Sequence, residues 1–222
     1  FVQHLNALIR LTGGELRIGG IGSAGYDLAD KKCNFLELRS KVGMVFQYPE
    51  YQLFAETVEK DVMFGLKNFH KGMKEEEMAA AVKEAIETVD LDYHDIRDRS
   101  PFELSGGQKR RVAIAGVIVT KPEILILDEP AAGLDPLGKK EIMDLLHHIH
   151  GGWCKTVVIV SHDMDEIAEN CTRAAVFSEG RVVMEDTPAE ISKRSDELLA
   201  LGLDIPVTAK WARLLKEKGI VI

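Results

Sequence analysis

Two adjacent acids, Asp128 and Glu129, follow a short apolar run at residues 124–127. Such a run is typical of a buried strand, and ligands of an open parallel sheet bind beyond the carboxyl ends of its strands. One carboxylate in that place can hold a hydrated Mg²⁺, while its neighbour polarises a water for attack on a phosphate. Two acids after a strand can equally do no more than cap the following turn, so the pair alone leaves both alternatives open.

A glycine-containing helix start is the second feature that could do chemistry. The segment Leu104-Ser105-Gly106-Gly107-Gln108 opens a helical pattern at 109–119. Ser105 can cap that helix, and the two glycines leave backbone N–H groups uncovered at its positive end, which suits a phosphate. Three basic residues follow, and we interpret them as a solvated face: Lys109, Arg110 and Arg111. These five residues in this order, sixteen residues before a strand that ends in Asp-Glu, are far more specific than Ser-Gly-Gly alone.

Apolar strands alternate with helical segments along the chain, and these elements must position the residues above. Strands are predicted at 15–21, 41–46, 124–127 and 156–160, and helices at 1–11, 109–119 and 136–149. The alternation predicts an α/β fold with a mostly parallel sheet covered on both faces. Residues 57–89 have a helical pattern rich in Glu and Lys, which predicts a separate helical lobe. After a predicted hairpin around Glu179 and Gly180, capping signals at Thr187 and Glu190 predict a helical C-terminal segment.

The charge balance narrows the class of partner. Lys and Arg number 28 against 36 Asp and Glu, a net charge of −8, which argues against a general nucleic-acid binder. No stretch approaches the roughly 20 apolar residues that span a bilayer. If the protein works at a membrane, we therefore expect another subunit to supply the spanning part.

Five segments, taken together and in order, resemble the motifs of ATP-binding-cassette (ABC) ATPases. Residues 45–47 resemble the Q-loop, 104–108 the signature motif, 124–130 the Walker B strand, 132–136 the D-loop and 161–163 the switch-histidine region. The resemblance covers essentially the whole chain and implies a P-loop NTPase-type ABC cassette. It divides the chain into four segments: residues 1–50 and 111–186 as the ATPase core, 51–110 as a helical subdomain with the signature motif, and 187–222 as a C-terminal helical extension.

The resemblance also implies a role for each site residue. Asp128 would orient the Mg²⁺ shell and Glu129 would act as the base toward the attacking water. Gln47 would contact the metal or the water, and His162 would touch the γ-phosphate of ATP and help hold Glu129. The remaining site residues would face a nucleotide held by the partner subunit or lie at the seam between the two subunits: Ser105, Gly106, Gly107, Gln108 and Asp135.

Residues 48–54, 57–65, 100–103 and 201–206 resemble the ATPases of energy-coupling-factor (ECF) transporters, which import vitamins or transition-metal ions. The resemblance implies a like or related second ATPase, so a homodimer or a heterodimer, at the cytoplasmic face of the cell membrane. It also implies a membrane scaffold (T) component and a substrate-binding (S) component as partners, and no nucleic acid. Tyr51, Leu53 and Phe54 form an apolar cluster that we expect to line a groove for a scaffold helix. The alternative is that they pack inside the helical lobe.

The chain departs from the family pattern at its start. The family's glycine-rich loop, which ends in Gly-Lys-Ser or Gly-Lys-Thr, would precede the first helix, and Phe1 already lies in that predicted helix. The glycine-rich residues 19–25 contain no such ending, and we reject them as a substitute. We expect the natural protein to carry the loop, and we expect a preparation beginning at Phe1 to bind nucleotide weakly without turnover.

Two other functions remain compatible with these motifs. A soluble ABC ATPase outside transport would usually show tandem cassettes, long coiled-coil insertions or a basic surface, and the sequence has none of these. A non-hydrolysing scaffold could also have kept the fold. His147, His148 and His150 lie at a predicted helix end, where a partly cationic His is favourable, and we do not expect them to bind a metal.

Overall fold

The computed structural model describes residues 1–19 and 25–219, apart from the side chain of Glu217. These residues form two compact units, Phe1–Ile159 and Val160–Ile222. Most of the glycine-rich stretch at 19–25 lies outside the described residues. The four segments predicted from the sequence stay a prediction.

The first unit contains most of the helices and the central sheet. Its strands are β1 (Arg17–Ile18), β2 (Tyr26–Asp27), β3 (Val42–Val45), β4 (Ile124–Asp128) and β5 (Thr156–Val160), the last of which reaches one residue into the second unit. Its helices are α1 (Val2–Leu5), α2 (Phe35–Lys41), α3 (Val58–Phe69), α4 (Glu75–Thr88), α5 (Tyr93–Ile96), α6 (Gly106–Ile118) and α7 (Pro136–Gly152). Two 3-10 helices, Pro49–Gln52 and Pro101–Glu103, complete it.

A three-stranded sheet in the order β3-β4-β5 forms the centre of this unit. Strands β3 and β4 are parallel, with Val42 opposite Ile124 and Val45 opposite Leu127. All four residues of β3 are buried, and residues 125–127 of β4 have no exposed surface. Strands covered on both faces read as continuous apolar runs, which is the pattern that predicted them. The predicted α/β fold with a parallel sheet is confirmed.

Helix α6 joins the sheet to a helical lobe. It packs on α3 and α4, which span the predicted lobe at 57–89 with a break after Phe69, and it also contacts β3. The two helices α3 and α6 approach closely, because a Cβ added at Gly65 would come within 3.1 Å of the Gly116 carbonyl oxygen. Apolar side chains of both helices are buried in one cluster with the sheet, so the start of α6 is held on a rigid base.

Helix α1 is shorter than the helix predicted at 1–11. It ends at Leu5, and Ala7 has a left-handed backbone with φ 55°. The buried Asn6 side chain donates to the Met44 sulfur over 3.5 Å and accepts from the Leu8 N–H over 3.1 Å. This bonding gives the backbone an alternative to the helix, and apolar spacing alone therefore overestimates the helix length.

The second unit contains the hairpin of β6 (Ala174–Ser178) and β7 (Arg181–Asp186) and four helices. The helices are α8 (Met164–Asn170), α9 (Pro188–Lys193), α10 (Ser195–Ala200) and α11 (Val207–Glu217). Thr187 caps α9 by accepting from the Glu190 N–H, as the sequence predicts. Within residues 1–19 and 25–219, none of the helices combines the length and the apolar character that crossing a bilayer requires.

Candidate functional site

The end of β4 presents the two predicted acids. Strand β4 stops at Asp128, and Glu129 turns the chain with a left-handed backbone, φ 51°. A non-glycine residue in this conformation is strained and persists only where the surroundings hold it. Both acids are half-buried and sit at the carboxyl edge of the sheet, the place where open α/β sheets bind ligands.

Burial raises the pKa of the Asp128 carboxyl above its ordinary value, and the negative charge of Glu129 raises it further. A cation bound beside Asp128 would offset both effects and favour its ionised form. The described residues contain no cluster of three or more His, Cys, Asp or Glu that could hold a metal by itself. Mg²⁺ usually binds through one or two carboxylates together with water and substrate phosphates, so the acidic pair fits a metal that arrives with a nucleotide.

Gln47 lies at the same edge as the two acids. Because Val45 is opposite Leu127 in the parallel register, Gln47 and Glu129, each two positions further on, follow the carboxyl ends of neighbouring strands. Tyr48 then turns the chain with a left-handed backbone, φ 54°. The structure thus brings three of the predicted site residues to one edge of the sheet: Gln47, Asp128 and Glu129.

The start of α6 has the form that the sequence predicts. The Ser105 hydroxyl accepts from the Gln108 N–H over 3.3 Å, and the Gln108 side chain accepts from the Ser105 N–H over 3.1 Å. This reciprocal capping starts the helix at Gly106, three residues before the predicted start. A Cβ at Gly106 or Gly107 would meet nothing within 4 Å, and both glycines are exposed. Their N–H groups have no acceptor within the helix and can bind an anion.

Asp135 and His162 occupy helix starts in different units. In the first unit, the exposed Asp135 caps α7 by accepting from the Gly138 N–H over 2.8 Å. In the second unit, His162 is exposed and lies directly before Asp163, which caps α8 by accepting from the N–H groups of Asp165 and Glu166. The first cap fixes the backbone at Asp135, and the second fixes the backbone that follows His162.

The solvated basic face predicted after the signature motif is wrong for two of its three residues. Arg110 is buried and binds Glu50 and two backbone carbonyls. Arg111 is mostly buried and donates to the Val89 carbonyl and to Asp90 and Glu141. Helical spacing was the missed signal for Arg110, because it lies one turn before the buried Ile114 on α6.

Comparisons with known proteins identify this arrangement. The sequence profile of the ABC transporter family matches residues 2–132. Energy-coupling factor transporter ATP-binding protein EcfA2 of Clostridium perfringens is 46% identical over 222 residues, which cover 100% of this chain and 75% of the relative. EcfA2 of Clostridioides difficile is 47% identical over 222 residues, with the same coverage of both chains.

Solved structures of ATP-binding cassettes are also similar to this chain. CbiO1 of Clostridium perfringens, part of the ABC transporter complex cbiONQ, superposes with a TM-score of 0.71 at 33% identity, covering 95% of this chain and 80% of its own. A dimeric ATP-binding cassette in a post-hydrolysis state, bound to ADP and Pi, superposes with a TM-score of 0.70 at 29% identity, covering 84% of this chain and 78% of its own. The chain belongs to the ABC transporter family, and it is one of the ATP-hydrolysing cassettes of that family.

Proposed function

We propose that this chain is the ATP-hydrolysing subunit of an ECF-type ABC importer of vitamins or transition-metal ions. One observation carries the hydrolytic part: Asp128 and Glu129 lie at the carboxyl end of β4, next to the parallel strand that leads to Gln47, at an edge suited to a metal-bound phosphate. The importer class rests on the relatives, which are energy-coupling factor ATP-binding proteins.

Hydrolysis needs a base, a water and neutralised phosphate charge. Glu129 takes a proton from the water as its oxygen bonds to the γ-phosphorus and the bond to the bridging oxygen breaks, which leaves ADP and phosphate. Asp128 and Gln47 would hold Mg²⁺, which would neutralise the negative charge that develops on the phosphate groups. His162 would contact the γ-phosphate.

The second nucleotide contact comes from a partner ATPase, identical or related. Each ATP would lie between one subunit's sheet edge and the other's α6 start, where the Ser105 hydroxyl and the N–H groups of Gly106 and Gly107 face the γ-phosphate. Gln108 keeps that start in shape, and Asp135 lies at the seam. ATP therefore favours a closed dimer, and hydrolysis with loss of phosphate removes the preference.

ATP turnover separates this function from its two competitors. We expect the natural subunit to hydrolyse ATP, and we expect the rate to change when the membrane components are added, because they bias the same closed dimer. A soluble ABC ATPase would hydrolyse ATP at a rate that does not change when those components are added. A scaffold that only kept the fold would show no turnover in either condition.

An exposed aromatic surface is the candidate contact with the membrane scaffold component. It consists of Tyr51, Phe54 and Phe64, which are 84%, 58% and 50% exposed. The rings of Phe54 and Phe64 meet edge to face, 4.8 Å between centroids. The N–H groups of Phe54 and Ala55 both donate to Asp61 on α3, so the loop that carries Phe54 is held in place. A preformed apolar surface of this kind favours binding the apolar face of a helix.

Leu53 does not belong to this surface. The prediction that it lines the docking groove is wrong, because its side chain is buried in the cluster that α3 and α6 share with the sheet. Its neighbour Phe54 points outward instead, and Phe64 takes the place that the sequence suggested for Leu53. Replacing Leu53 with Ser would therefore disturb the fold rather than test docking.

A paired substitution on the aromatic surface tests the docking. The double variant Phe54→Ser with Phe64→Ser is expected to weaken scaffold binding about 10- to 100-fold, since buried aromatic anchors dominate interface energies. Co-purification with the scaffold component and a titration of complex formation would measure it. Trp211→Ser is the matched control, because that ring is 62% exposed but lies on α11 in the second unit. Equal complex formation by both variants would contradict this surface as the contact.

A further inference from the structure

Arg110 is the only charged side chain that is buried among residues 1–19 and 25–219, with 4% of its surface exposed. It projects from α6, one turn after the glycines at the start of that helix. A buried guanidinium is costly unless its donors are satisfied, so the groups that it binds are informative.

The guanidinium connects two separate turns. Its Nε donates to the Glu50 Oε2 over 3.4 Å, and Glu50 belongs to the 3-10 helix that follows Gln47 and Tyr48. Its Nη1 donates to the Ala132 carbonyl over 2.9 Å and to the Pro130 carbonyl over 3.4 Å. Those carbonyls lie in the turn that follows Glu129. The Arg110 side chain thus binds both the segment that follows Gln47 and the segment that follows Glu129.

Both turns need such support. Tyr48 and Glu129 each have a left-handed backbone, at φ 54° and 51°; Glu129 directly follows β4, and Tyr48 lies three residues beyond the end of the neighbouring parallel strand β3. The two turns also lie close together, since a Cβ added at Gly133 would lie 3.9 Å from the Tyr48 ring. Strained residues of this kind persist where surrounding contacts over-determine them, and Arg110 supplies contacts to both.

We infer that Arg110 is a positioning residue for ATP hydrolysis. It fixes Gln47 and Glu129 relative to each other by binding the turn that follows each of them. The inference rests on the proposed roles of those two residues. A buried ion pair can often be replaced by apolar groups without loss of stability, so stability alone does not explain this one. A positioning role explains why an arginine occupies this site, because a guanidinium can donate to a carboxylate and to backbone carbonyls at the same time.

The variant Arg110→Lys keeps the charge and removes the fork. We expect kcat for ATP hydrolysis by the natural subunit in its assembled transporter to fall about 10- to 100-fold, the cost of a small misplacement of catalytic groups. The KM for ATP should change by less than about twofold, because the nucleotide contacts at Asp128 and at the α6 start remain. The variant Glu50→Gln, which leaves the two carbonyl contacts intact, should lower kcat less, and the double variant should match Arg110→Lys alone.

Arg111→Lys is the matched control. Arg111 follows on the same helix and also donates to one backbone carbonyl and two carboxylates, at Val89, Asp90 and Glu141. We expect this variant to lower the thermal midpoint about as much as Arg110→Lys while leaving kcat within about twofold of the parent. A parental kcat in Arg110→Lys, or an equal fall in both variants, would overturn the inference. Absence of turnover in the parent transporter would instead count against the proposed function.

Discussion

Glu129→Gln is expected to reduce kcat for ATP hydrolysis about 100- to 10,000-fold, the range that a general base contributes. The amide has the same shape as the carboxylate but cannot accept the proton of the attacking water. ATP binding should persist, because the phosphate contacts lie on other residues. The ATP-bound closed dimer should therefore accumulate, and gel filtration with ATP, beside a phosphate-release assay, would measure both effects.

Glu179→Gln is the control for this substitution. Glu179 is also a glutamate with a left-handed backbone, φ 48°, but it lies in the β6–β7 turn of the second unit. The same exchange there should leave kcat unchanged. If the Glu129→Gln variant released phosphate at more than about one tenth of the parental rate, Glu129 would not be the general base.

Gly107→Asp is expected to stop hydrolysis while making the fold slightly more stable. A Cβ at Gly107 meets nothing within 4 Å, so the side chain has room. A carboxylate in the first turn of α6 interacts favourably with the helix dipole, by about 0.3–1 kcal/mol. Facing a γ-phosphate about 4 Å away, the same charge costs about 4 kcal/mol near a protein surface, which corresponds to a fall of at least about 100-fold in turnover.

The neutral variant Gly107→Asn separates charge from size. It fills the same space without the negative charge, and we expect it to keep most of the turnover that Gly107→Asp loses. Thermal unfolding of both variants and of the parent would show whether the first turn has gained stability. If the two variants lose turnover equally, the α6 start acts through its shape rather than through binding an anion.

Strands and long helices could be predicted from the sequence because their patterns are regular. The apolar runs of β3, β4 and β5 and the amphipathic α3, α4 and α7 are long enough for their periods to be counted. Helix α2 was not predicted, since it has seven residues, buries only Leu38 and begins at the side-chain cap of Asn34. Helix α7 continues through Gly152, three residues beyond the end predicted from the sequence at 149.

The site residues could be predicted only in part, because contacts distant in sequence decide the rest. The acids and the capped glycines are local signals, and both lie where the sequence placed them. Arg110 is different, since its partners are 60 and about 20 residues away and nothing local indicates that it binds them. Leu53 and Phe54 show the same limit, because two adjacent apolar residues can point to opposite sides and only packing decides which is buried.

The left-handed backbone at Glu129 has a consequence for laboratory evolution. Glycine and asparagine adopt that conformation more easily than glutamate does. At position 129, the substitutions that raise thermal stability are therefore ones that remove the proposed catalytic base. A selection of random variants for heat resistance alone would enrich those two residues there and would yield robust, inactive proteins. Stabilising this chain by selection therefore requires that every round also screen for turnover.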